Sequence, residues 1–137
     1  MTDPAPRLEW PAIWRAALSV ATFAVPIGLA QQWLVGSGRI SADGAVNLVL
    51  FFAVLCCGAI GGFGAAQLCR ARPLHNGAAA AALAYLAIQA GGALRRLIVG
   101  EPLANPLGWI FLALLMATCG MAGAALEGRT RAARRER

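Results

Sequence analysis

Lysine is absent from this chain, and all 12 of its basic residues are arginine. Charged residues of both signs together make up only 13%, about half the ~25% usual in soluble domains. Histidine occurs once, at His75, and one imidazole without companions excludes a histidine-built metal site. The six carboxylates (Asp3, Glu9, Asp43, Glu101, Glu127 and Glu136) fall in tails, in loops or at the ends of apolar runs. No acid lies where the middle of a membrane helix would be, which argues against a proton-coupled antiporter, whose mechanism needs a buried carboxylate. Strict apolar–polar alternation is missing as well, so a β-barrel is not expected. The chain contains no nucleophile elbow, no phosphate loop and no clustered metal ligands. The expectation is therefore a non-enzymatic protein with no catalytic or metal-binding residue and no cofactor.

What the chain has in excess is apolar surface. Hydrophobic residues reach 59%, above the usual ~45–50%. A soluble fold of 137 residues buries only about 60–70% of the surface its unfolded chain exposes, so water is a poor solvent for this composition and a bilayer a good one. Four runs are long enough for the ~20 residues that cross a hydrocarbon core. We place them at about 13–35, 45–68, 77–99 and 106–126. The resulting domain is 13–128, preceded by an extended, proline-containing lead-in at 1–12 and followed by an Arg-rich tail at 129–137. The first run is too long for the apolar core of a signal peptide, so it is expected to stay in the protein.

Pro26 sits inside the first run and is expected to kink it. GSGRISADG at 36–44, CRARPLHN at 69–76 and GEPLAN at 100–105 read as the three connections, with Pro106 suited to open the last helix. Connections this short make consecutive helices antiparallel neighbours. The fold expected is thus an all-α integral membrane four-helix bundle with both termini on one side.

Arginine distribution gives the orientation. Arg7, Arg15, Arg70, Arg72, Arg129, Arg131, Arg134, Arg135 and Arg137 share one side, and Arg39, Arg95 and Arg96 the other. Positive charge in short loops favours the cytoplasm, which places the termini there and the chain in the plasma (inner) membrane. Arg70, Arg72, Arg129, Arg131, Arg134 and Arg135 are read as topology signals that also contact anionic lipid. A pI near 10.5 does not indicate nucleic-acid binding, because these charges flank apolar runs rather than forming a soluble basic face.

Apolar burial does little to join helices already in lipid, so association depends on close packing. Gly58, Gly61, Gly62 and Ala65 on the second span, and Ala113, Ala117, Gly120 and Ala124 on the fourth, offer small surfaces at helical spacing. They pack either within one molecule or against a second copy or larger membrane partner. Arg95 and Arg96 lie about a turn inside the end of the third span, on the side where arginine is disfavoured. With Gln89 deeper on the same helix they form a candidate anion or headgroup contact; otherwise the span simply ends earlier. Cys56, Cys57 and Cys119 read as packing residues, and Cys69, near a membrane face, as a candidate for palmitoylation.

The stretch GGFGAAQLCRARPLHNGAAAAALAYLAIQ, residues 61–89, resembles a pattern in small, uncharacterised four-span bacterial membrane proteins. There a Gly-rich second helix leads through a basic loop and Pro-Leu into an Ala-rich third helix. The resemblance implies a fold and topology and no activity. Small multidrug-resistance transporters share the size, but their essential first-helix glutamate has no counterpart, since Glu9 precedes the first span. GAIGGFGAA is similar to Gly-rich segments of four-span fluoride channels, whose Thr- and Phe-rich third-helix motif is missing here. Two functions remain: a membrane subunit or scaffold packing through Gly/Ala-rich helix faces, and a small oligomeric transporter or channel.

Overall fold

The structure is a computed structural model that describes residues 8–69, 71–100, 102 and 105–136. It contains four α-helices: α1 (Trp10–Gly36), α2 (Ala45–Leu68), α3 (Pro73–Val99) and α4 (Pro106–Arg135). All four are long and apolar enough to cross a membrane.

Three helices begin earlier or end later than their apolar runs, each for a local reason. Helix α1 opens at Trp10, with Pro11 in its first turn, a position that does not need the missing N–H. It continues unbroken through Pro26 to Gly36. The same rule starts α3 at Pro73, so Leu74, His75 and Asn76 are helical rather than part of a loop. Helix α4 runs to Arg135, because GRTRAARR consists mostly of good helix formers and nothing in it stops a helix.

The connections follow from capping. After α1, the Gly38 N–H donates to the Val35 carbonyl and the Arg39 N–H to the Leu34 carbonyl, each at 3.0 Å. This is a Schellman closure, with Gly38 at φ +69° supplying the left-handed residue it needs. Helix α4 is capped by Asn105, whose Oδ1 accepts from the Leu107 N–H at 3.0 Å, ahead of Pro106. Between α2 and α3 the link is so short that Arg72 takes a left-handed φ of 49°. A non-glycine residue there costs about 1–2 kcal/mol.

Hydrogen bonds tie the start of α1 to the start of α3, and the late turns of α4 to the end of α2. The end of α1 bonds the start of α2 through Gln31 and Asn47 at 2.7 Å. Consecutive helices therefore run antiparallel. Helices α2 and α3 each touch every other helix, whereas α1 and α4 do not approach one another among the described residues.

The interior is made of small side chains. Ile13, Ala16, Ala65 and Ala80 pack at one level; Ala17, Val20, Ala24, Cys57, Ala84, Tyr85, Ala113 and Met116 fill the next. Large apolar side chains point outward on every helix, among them Leu18 and Phe23, Val49 and Ile60, Leu94 and Ile98, Phe111 and Leu114. The chain exposes 9268 Å², against about 6,800 Å² for a soluble globular monomer of its mass. With an alanine interior and a leucine exterior, the bundle suits hydrocarbon as its surroundings.

Candidate functional site

Three groups of residues stand out, and the two ends of the bundle differ sharply. At the end where α2 leads into α3, hereafter the closed end, glycines bring three backbones together. A Cβ on Gly62 would overlap the backbone of Gly120, and one on Gly123 would overlap the carbonyl of Ala59. A Cβ on Gly77 would lie 2.8 Å from the Gly120 oxygen and 3.2 Å from that of Gly62. Gly62, Gly77 and Gly120 thus form a single contact among α2, α3 and α4. Gly61 faces Val20 of α1, and Gly58 faces the flexible end of Met116. Ala65, Ala113 and Ala124 are buried, and Ala117 is half-buried. The structure gathers these small residues inside one chain.

Beyond the glycine contact lies a polar cluster that the composition did not signal. Asn76 is fully buried. Its Oδ1 accepts from the Glu9 N–H at 3.1 Å, and its Nδ2 donates to the Ala71 carbonyl at 2.8 Å. The Glu9 carboxylate accepts from the Ala71 N–H at 2.8 Å. One asparagine therefore holds the lead-in of α1 against the α2–α3 link. On the opposite flank Glu127, 5% exposed, pairs with Arg131 one helical turn later. The Arg131 guanidinium also donates to the carbonyls of Ala66 and Gln67 at 2.9 and 3.2 Å. These are among the last carbonyls of α2, which have no partner within the helix and favour a cation.

The other topology arginines divide. Arg72, Arg129, Arg134 and Arg135 are exposed, and Arg70 lies outside the described residues. Cys69 is 5% exposed and its thiol donates to the Ala66 carbonyl, so the candidate for acylation is buried in the closed end rather than presented to an enzyme.

At the opposite, open end the structure separates the three residues of the suspected anion contact. Gln89 donates to the Tyr85 hydroxyl at 2.7 Å, one turn earlier on its own helix. Arg96 donates to the Pro102 carbonyl at 3.4 Å, steadying the α3–α4 turn. Arg95 instead lines a groove of about 430 Å³ between α1 and α3. Its polar companion there is Gln32 of α1, which sequence spacing does not connect to Arg95. Arg39 stacks over Trp33, 4.5 Å from the ring centre, a cation–π contact of about 0.5–1 kcal/mol in exposed settings. Among the described residues, no three His, Cys, Asp or Glu side chains gather where a metal ion could sit.

The fold and these groups define a class, an all-α bundle of four helices with membrane-spanning length and composition. Compared with protein-family models, curated proteins and solved structures, the chain finds no match.

Proposed function

We propose that this chain is a non-enzymatic integral protein of a bacterial inner membrane, with cytoplasmic termini, that serves as a small subunit or scaffold for a larger membrane partner. The observation that carries the reading is the filled, apolar centre of the bundle: Val20, Ala24, Cys57, Ala84, Tyr85 and Met116 close it, and the polar clusters lie at its two ends. Among the described residues a single copy offers no polar path from one face to the other, so transport would require a pore built between copies.

The internal use of the α2–α4 glycines shifts the expected partner face. The Gly/Ala surface on α2 and α4 is occupied by the chain itself, so a partner meets the outer faces of α1 and α4, which are rich in exposed Leu, Phe and Trp. The arginine asymmetry supports cytoplasmic termini, and the helical, exposed Arg129, Arg134 and Arg135 extend α4 to where anionic headgroups lie.

Native mass spectrometry of the full chain, extracted gently from its own membranes, tests the subunit reading. The expected result is a reproducible heteromer of fixed stoichiometry. A defined homo-oligomer with no companion overturns it and favours the transporter reading, to be followed by flux assays in liposomes. A fluorescent-protein fusion at the C-terminus tests orientation separately: it fluoresces if the terminus is cytoplasmic and stays dark if exported.

A further inference from the structure

The buried interior of the bundle belongs to its closed half. Buried residues run from Ala12 to Ala24 on α1, from Cys57 to Ala66 on α2, from Asn76 to Tyr85 on α3 and from Ala113 to Glu127 on α4. On α1 the edge of this core coincides with a break in the helix ladder, since Pro26 follows Ala24 by two residues. Residues 27–36 are thus the part of α1 that has left the core and lies beyond a proline.

The break has a direction. Pro26 has no N–H for the Thr22 carbonyl, and its ring crowds that carbonyl. One turn earlier the Thr22 hydroxyl donates to the Leu18 carbonyl at 2.9 Å, a back-bond that also bends helices. Leu18, Thr22 and Pro26 are all exposed, so both weaknesses lie on the outward face of α1. A ring pressing on its own face tilts the helix away from that face, here toward the rest of the bundle.

There is room to receive the tilt. A groove of about 430 Å³ separates this part of α1 from α3. Gly28, about 200° round the helix from Pro26, lines it together with Gly91 and Gly92 of α3. A Cβ on any of the three would meet nothing within 4 Å. Gln31 of the same segment donates to the Asn47 side chain at 2.7 Å, which holds the segment on the α2 side of the gap.

We propose that α1 is hinged at Pro26. Residues 27–36 swing between the position described above, with the groove open, and a second position closed onto Gly91 and Gly92, while the closed half of the bundle stays fixed. The Gln31–Asn47 bond is the latch of the open position. The chain thereby gates its own groove, and this is independent of whether a larger partner exists.

The tryptophans are reporters already in place. Trp33 rides on the moving segment, Trp10 and Trp14 on the fixed part of the same helix. The test is fluorine NMR of the full chain, labelled with fluorotryptophan and held in lipid nanodiscs. Relaxation dispersion reads the μs–ms exchange that hinge motions produce. Trp33 is expected to exchange or to give two lines, and Trp10 and Trp14 to do neither. Pro26→Ala restores the missing N–H and should abolish the Trp33 exchange. Gly91→Leu, whose side chain enters the open groove, should abolish it as well. Gln31→Leu releases the latch and should raise the second population several-fold. Arg39→Gln removes the cation stacked on Trp33 and should leave the exchange in place.

A single, exchange-free Trp33 line in the wild type overturns the proposal, as does exchange that survives Pro26→Ala. Exchange lost in Arg39→Gln would belong to the indole ring alone, and exchange shared by Trp10 and Trp14 to the whole helix; either result overturns the hinge. Exchange that survives Gly91→Leu overturns closure onto α3.

Discussion

At the closed end, Gly62, Gly77 and Gly120 draw three backbones so near that a methyl group fits on none of them; at the open end, Gly28, Gly91 and Gly92 face nothing in the chain at all. The residue type is the same and the helical setting is the same. What differs is the element opposite. Helices α2 and α3 are joined by a link so short that Arg72 is forced into a left-handed conformation, and α4 packs into the crossing they form. Helices α1 and α3 are not consecutive, and no link holds them together at the open end, so small residues there widen a gap. A glycine in a membrane helix has a meaning only once its opposite face is known.

The strongest way to break this contrast is to place a methyl at the closed end. Gly62→Ala sets a Cβ against the Gly120 backbone, and Gly123→Ala sets one against Ala59. A side chain in the way can change rotamer, but a backbone must move with its whole helix. The expected loss is about 3 kcal/mol, the upper range for overpacking, read from reversible unfolding in mixed micelles. Wild-type stability in Gly62→Ala would mean that three glycines do not lock this end, and the comparison would lose its first term.

The polar cluster gives a second, smaller handle on the same end. Asn76→Ala leaves the part-buried Glu9 N–H and Ala71 carbonyl without the Asn76 amide. The expected cost is about 2 kcal/mol, the scale for stranded polar groups. Arg131→Gln removes contacts to the end of α2 and leaves the buried Glu127 carboxylate without its cation, but the Arg131 side chain is 48% exposed, so water replaces part of what is lost and the cost should be about 1.5 kcal/mol. The same unfolding assay ranks them. If Arg131→Gln cost more than Asn76→Ala, the α4 flank rather than the α1 flank would fasten the closed end.

Much of this architecture was legible from the residues. The four spans appear as apolar runs because hydrocarbon imposes a minimum length, and the paired small residues of the second and fourth spans stand at spacings that share a helix face. Less legible was Asn76, the last residue of the polar stretch at 69–76 that reads as a connection. Pro73 held the clue, since a proline at a helix start carries the next residues into the first turn and makes Asn76 helical. The i, i+4 spacing of Glu127 and Arg131 was visible too, although what lay behind the pair was not. That Arg95 and Gln32 line one groove was hidden altogether. They are on different helices, 63 positions apart in the sequence, and only the crossing of α1 over α3 brings them to one groove. Periodicity reports which residues share a face of one helix; it carries no information on which face of another helix lies opposite.

The smallest predicted effect has the opposite sign. Gly91→Ala puts a methyl into open space in a helix interior, where alanine is favoured over glycine by up to about 1 kcal/mol. In detergent the variant should be as stable as the wild type or more stable by roughly half of that. The same chemical change at Gly62 is destabilising by several times as much, so the two variants measured side by side give the contrast its sharpest form. A Gly91→Ala variant that is destabilised instead would mean that a protein surface lies against Gly91, and the open end would be closed by a second chain.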